Sequence, residues 1–212
     1  MTQAPDALLL VTRECPHCGG VLQGLAALVK EGALARLEVV NLNRDPETAR
    51  RLGVRSVPWL RIGPFELEGA FTEGELRQWV ERAGRPEGWA AYLEYLLKRA
   101  QRPRVVALVR ELPQALAGLI ALLADPDTDM GIRLGADSVI EELAGSDALR
   151  AQLQALLQLS AHPEARIRTD ACHYLGLTGA PEARARLEQC ARDEDAQVRE
   201  AAREALARLP AT

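Results

Sequence analysis

Cys15-Pro16-His17-Cys18 sets two thiols three residues apart, where a short apolar run, Leu8-Leu9-Leu10-Val11, gives way to a segment of helical apolar periodicity. A C-x-x-C at a strand-to-helix junction suits reversible thiol–disulfide chemistry. The first turn of a helix offers unpaired N–H groups and the positive end of the helix dipole, which stabilise a thiolate over a thiol. Cys15 is therefore the candidate nucleophile and Cys18 the candidate resolving thiol. A second marker, Ser56-Val57-Pro58, follows about forty residues on. The remaining cysteines, Cys172 and Cys190, stand alone in the sequence. In a reducing compartment such residues are expected as buried, inert thiols.

These residues need elements to hold them. The pattern predicts a strand over 7–12 and a helix over 16–31, with Val21, Leu22, Leu25, Leu28 and Val29 on one stripe. A strand over 35–41 and a short helix from Pro46 to Leu52 come next. Trp59 to Ile62 and Phe65 to Glu68 read as a hairpin around Gly63-Pro64, and a helix from Thr72 to Ala83 closes the region. The result is a mixed sheet with helices on its faces.

Beyond the C-x-x-C, the stretches Asn43-Arg44-Asp45-Pro46, Gly53-Val54-Arg55-Ser56-Val57-Pro58 and Gly69-Ala70-Phe71-Thr72-Glu73-Gly74-Glu75-Leu76 resemble the corresponding segments of thioredoxins. The resemblance covers nearly all of residues 5–84. It implies a cis bond before Pro58, a position for Pro58 against the Cys15 sulfur, and backbone groups of Val57 that pair with an extended substrate. Glu14 replaces the family's tryptophan before the first cysteine, and the strand and helix that precede the catalytic strand in full-length thioredoxins are missing. Pro16 and His17 match the dipeptide of DsbA-type oxidases, which implies that His17 favours the Cys15 thiolate and makes the disulfide more oxidising. Glu68-Gly69-Ala70-Phe71-Thr72 lacks the Gly-Gly and paired acids by which glutaredoxins take glutathione.

From Glu87 the chain reads as helix after helix, broken at Arg102-Pro103, Asp125-Pro126-Asp127, Gly145-Ser146-Asp147, His162-Pro163, Thr178-Gly179-Ala180-Pro181 and Arg192-Asp193-Glu194. Over these breaks lies a recurrence at roughly 30 to 35 residues: Ile132-Arg133, Ile167-Arg168 and Val198-Arg199 each follow an Asp- or Pro-bearing break. With Ala171-Cys172, Leu175-Gly176, Leu187 and Cys190, the stretch resembles bacterial HEAT-like repeats of the phycobilisome-lyase type over residues 127–209. That implies a solenoid whose neighbours bury one another's apolar stripes. Arg150, Gln154, Gln158, Arg184, Arg186 and Glu188 are expected on its inner, partner-docking surface. Trp89, Tyr92, Leu93, Leu96 and Leu97 recur at helical spacing in a bridging helix.

The fold expected is thus an α/β thioredoxin-like domain over 1–84, a linker and bridging helix over 85–104, and an all-α HEAT-like solenoid over 105–212. Charges balance in the first 85 residues, and the net −4 falls in the remainder. Neither half is a basic nucleic-acid surface. With Asp6 ahead of an apolar run of only five residues, Ala7 to Val11, and no earlier Lys or Arg, a secretory signal is not expected, and the longest apolar run, Ala115 to Ala124, is short of the roughly 20 residues of a membrane span. A cytoplasmic thiol–disulfide oxidoreductase follows. It needs no cofactor and no metal, acts through Cys15 and Cys18 with Pro16 and His17 tuning the site and Val57 and Pro58 binding substrate, and docks disulfide or dithiol protein clients on its repeats. An electron donor is also implied. Two other classes stay open: a non-enzymatic interaction scaffold, and a carrier that holds a thiophilic metal on Cys15 and Cys18.

Overall fold

The computed structural model describes residues 4–210, which fall into two compact units that part between Gly88 and Trp89. The first unit is built on a four-stranded sheet of β1 (Asp6–Val11), β2 (Arg36–Asn41), β3 (Trp59–Ile62) and β4 (Phe65–Glu68) in the order β2-β1-β3-β4. β1 runs parallel to β2 and antiparallel to β3, and β3 forms a hairpin with β4.

Residues paired across the ladders share a face. Leu9 pairs with Val39 and Leu60, Ala7 with Leu37 and Ile62, and the hairpin adds Leu67 and Phe65 to the same side. This side is the core: Leu9, Leu60, Ile62, Phe65 and Leu67 have no exposed surface. Burying each stabilises the fold by about 1.5–3 kcal/mol. α1 (Cys18–Lys30) packs on β1 and β2 and against α3 (Glu73–Ala83), with Val21, Leu25, Leu28, Leu76 and Trp79 turned inward. Trp79 meets Phe65 edge-on at 5.9 Å between ring centres. The opposite face carries Leu8, Glu38, Arg61 and Glu66 in one row, none of them fully buried, and the paired Leu10 and Trp59 in the next, both buried.

Local chemistry fixes the element ends. α2 (Pro46–Leu52) starts with proline in its first turn and is capped by Asp45, whose carboxylate accepts hydrogen bonds from the Thr48 N–H and hydroxyl. α3 opens on a reciprocal cap. The Thr72 hydroxyl accepts from the Glu75 N–H, and the Glu75 carboxylate accepts from the Thr72 N–H. α1 differs from expectation, since it begins at Cys18 rather than at residue 16. Pro16 and His17 instead form a turn outside the helix.

The second unit is helical throughout: α4 (Gly88–Lys98), α5 (Arg102–Glu111), α6 (Pro113–Ala124), α7 (Met130–Glu142), α8 (Asp147–Arg150), α9 (Leu153–Leu159), α10 (Ala165–Thr178), a 3-10 turn at Pro181–Ala183, α11 (Arg184–Cys190) and α12 (Ala196–Arg208). The stretch 85–104, read from sequence as linker and bridge, lies largely within this packing. Trp89, Tyr92, Leu93 and Leu96 are buried, and a Cβ on Gly118 would stand only 2.6 Å from that of Trp89. Only glycine lets α6 approach α4 so closely. A break at Leu112 was also hidden, because Pro113 begins α6 instead of interrupting a helix.

The recurring arginines explain the period. Arg133 donates to the carbonyls of Leu123 and Asp125 and pairs with Asp170. Arg168 donates to the carbonyls of His162 and Pro163 and grips Asp193 with two nitrogens at 2.9 and 2.8 Å. Arg199 donates to the carbonyls of Asp193 and Glu194. Each arginine thus satisfies backbone acceptors in the turn before its own helix, and the first two reach forward to a carboxylate in the next repeat. Gly176 on α10 permits the same kind of close contact, since a Cβ there would lie 2.8 Å from the Ala205 Cβ on α12.

Candidate dithiol site

Cys15 and Cys18 are joined by a disulfide, with their Cα atoms 5.5 Å apart. Their surroundings differ. Cys18 begins α1 and is buried at 5% exposure, whereas Cys15 lies in the preceding turn and is half-buried. His17 occupies the cap position of α1, yet its side chain makes no capping hydrogen bond, and the first turn, which contains Gly19 and Gly20, has no acidic residue. No carboxylate of the helix's own first turn therefore offsets the positive end of α1.

The turn is held from β2. Asn43 accepts from the Arg13 N–H at 2.8 Å and donates its side-chain amide to the Glu14 carboxylate at 3.2 Å, while its own N–H donates to Asn41 at 2.9 Å. Asn43 thereby fixes both residues that lead into Cys15. Its role went unread in the sequence. An asparagine just past a strand end, thirty residues from its partners, has no local signal beyond turn propensity.

Pro16 and His17 form one wall of an open groove of about 320 Å³ with Val21 of α1, facing Phe71, Thr72 and Glu75 at the start of α3. The Glu75 carboxyl is held below its ordinary range by the Thr72 N–H and hydroxyl, so the groove has a fixed negative charge opposite His17. The Val57–Pro58 peptide is cis. Trp59 pairs with Leu10, so Pro58 sits at the sheet end from which the Cys15 turn leaves β1. Pro58 is buried and Val57 partly exposed. The Pro58 carbonyl accepts from the Gly69 N–H at 2.9 Å, which ties this loop to the segment that walls the groove.

In the helical unit the expected docking residues divide. Gln154, Gln158 and Glu188 are exposed, but Arg186 donates to the Ser160 hydroxyl and carbonyl, both at 2.7 Å, and Arg184 to the Pro210 carbonyl at 2.8 Å. A cleft of about 290 Å³ opens between Asp137, Glu141, Asp170, His173 and Tyr174. Its acids have partners in Tyr174, Arg133 and His173. Cys172 on α10 and Cys190 on α11 are free thiols and buried, as expected. Among the described residues no cluster of three or more His, Cys, Asp or Glu has the arrangement of a metal site.

Comparison with known families places the same division on the chain. The thioredoxin domain profile matches residues 7–81, and the HEAT repeats profile matches residues 116–207. No curated protein matches the chain.

Proposed function

We propose that this chain, a thioredoxin-like domain followed by HEAT repeats, is a cytoplasmic thiol–disulfide oxidoreductase whose repeats dock the proteins it acts on. The observation that carries the reading is the Cys15–Cys18 disulfide, with Cys15 half-buried and Cys18 buried at a helix start that has no side-chain cap. A passive fold has no need of that asymmetry. No described helix is long and apolar enough to cross a membrane.

In the reduced form the Cys15 thiolate attacks one sulfur of a client disulfide. The client S–S bond breaks, its leaving thiolate takes a proton, and a mixed disulfide joins client to Cys15. Cys18 then loses its proton and attacks the Cys15 sulfur, which expels the second client thiol. Two electrons have passed from the dithiol to the client, and a reductant must restore the pair. Run in reverse, the same steps oxidise a client dithiol. His17 and the uncompensated helix start favour the Cys15 thiolate, which stabilises the reduced pair. The groove beside Pro16 and His17, with the partly exposed Val57, offers room for an extended client segment.

Two measurements test this. The full chain should reduce a small chromogenic disulfide with a dithiol as electron donor, and Cys15→Ser should fall to background; unchanged turnover would refute the role of Cys15. In cells, Cys18→Ser cannot resolve the mixed disulfide and should accumulate clients on Cys15. The same trap cut after Gly88 should lose most of them, because docking raises the effective client concentration. Identical client sets from both would remove the docking role.

A further inference from the structure

β2 ends the sheet: β1 lies on one side of it, and among the described residues no strand lies on the other. The core is open along this edge. Leu37 and Val39 point to the core face beside Ala7 and Leu9, yet Val39 is 42% exposed and Leu37 only half-buried. α1 presents a matching strip. Gly24 faces Leu76 and Glu73 of α3, and Val21, Leu25 and Leu28 are buried against the sheet, so by helical spacing Leu22, Ala26 and Val29 fall on the flank turned away from α3. α3 packs on β3, so that flank lies toward β2. Leu22 is 36% exposed there and Val29 half-buried. Exposed apolar side chains therefore run along both layers at one edge of the domain.

We propose that this edge pairs with the same edge of a second copy of the chain, β2 running antiparallel to β2 about a two-fold axis at Leu37. The charges select the partner and the register. Arg36 and Glu38 stand on the other face of the strand, one on each side of Leu37, so the axis sets Arg36 of each copy opposite Glu38 of the other. Opposite charges directly across a ladder attract, and like charges repel. Glu38 has no ion pair or hydrogen bond among the described residues, and Arg36 holds Asp6 in a pair whose side chains are 71% and 52% exposed. An axis at Glu38 would set that carboxylate against its own copy, and an axis at Val39 would set it against Val40. Parallel pairing in register would face Arg36 with Arg36. Charges on an edge strand ordinarily discourage pairing. Here their alternation discourages every partner that lacks the opposite order, and the chain itself supplies that order when reversed.

The helices meet the same condition. Strands stand about 4.8 Å apart, and α1 packs over β1 and β2 together. Two copies of α1 therefore come about 10 Å apart across the axis, the distance at which helices pack. Their contact covers Leu22 and Val29 while the strands cover Leu37 and Val39, and the four strands of each copy join into one continuous sheet. Asn41 is four residues from the axis, about 13 Å along the strand, and Asn43 beyond it holds the turn of Cys15. The two Cys15 turns thus leave from opposite ends of the dimer, and the pairing uses no residue of either.

The test is the mass of the full chain by sedimentation equilibrium across a concentration series. The expected species has twice the chain mass of 23.1 kDa; a monomer throughout, or growth beyond two copies, would overturn the proposal. Arg36→Glu and Glu38→Arg should each raise the dissociation constant about tenfold, since two cross-strand pairs turn repulsive. The variant carrying both substitutions reverses each pair and should return to the parent's constant. A double variant as weak as the singles would overturn the register and the proposal with it. Leu22→Lys and Val39→Lys should be monomeric, with the parent's circular dichroism and the parent's rate on a small disulfide. A dimer that survives Val39→Lys lies elsewhere on the chain and would overturn the pairing. So would β2 amides that exchange freely in the parent and slowly only with a client trapped on Cys15, because the edge would then belong to the client.

Discussion

The two cysteine pairs invert each other's design. Cys15 and Cys18 are three residues apart, bonded, and placed at the start of a helix with Cys15 half-buried and Cys18 buried. Cys172 and Cys190 belong to different helices, are reduced, and are enclosed by the repeat. In the first pair the backbone supplies the positive potential. In the second both sulfurs lie inside the packed repeat, away from solvent. Access thus separates a pair placed for exchange from two thiols held as core.

If the units are independent supports for their pairs, damage to one should spare the other. The largest effect is expected from Asp193→Ala, which leaves the buried Arg168 guanidinium without its carboxylate. The repeat unit should lose about 3 kcal/mol, read as a shift of its denaturant midpoint, while exchange through Cys15 with a small disulfide persists. Loss of both together would break the comparison. Arg168 also holds the Asp193 carboxyl below its ordinary range. A depressed carboxylate adds stability above its unfolded value near 4, and that contribution fades as pH falls through the lower folded value. Acid should therefore weaken the repeat unit of the parent and not of Asp193→Ala.

A middling effect is expected at His17. His17→Pro should lower the reduction potential of the Cys15–Cys18 pair by about 30 mV, a tenfold change in the two-electron equilibrium, as measured against a glutathione buffer. An unchanged potential would assign the tuning to the helix start alone. The smallest is Thr72→Ala, which removes the cap of α3 and should cost the thioredoxin-like unit about 1 kcal/mol in its denaturant midpoint. Glu75 is likewise depressed by Thr72, so this loss should be present at neutral pH and shrink as acid protonates Glu75.

Signals confined to a few residues were legible in the sequence. Cys15 through Cys18, the proline after Asp45, Gly63-Pro64, and Thr72 followed three residues later by Glu75 each specify a short piece of backbone, and together they gave the sheet and its helices. Pro16 misled by two residues because a proline suits the first position of a helix as well as the turn before it. What could not be read were meetings across elements. Asn43 reaches back thirty residues to Arg13, and Arg186 meets Ser160 across 26 residues only because the helices of the repeat fold together. The recurrence of Arg133, Arg168 and Arg199 revealed a period, but that each guanidinium closes the turn behind it became visible only with the carbonyls in place.

That arginine series gives the array a direction. Arg133 lies in the interior with 3% of its side chain exposed, and its carboxylate, Asp170, belongs to the following repeat. A chain trimmed at the natural break before His162 would therefore strand a guanidinium that was buried two helices earlier, and trimming before Asp193 would do the same to Arg168. Each repeat is completed by its successor, so shortening from the carboxyl end damages the last unit kept as well as removing the one cut away.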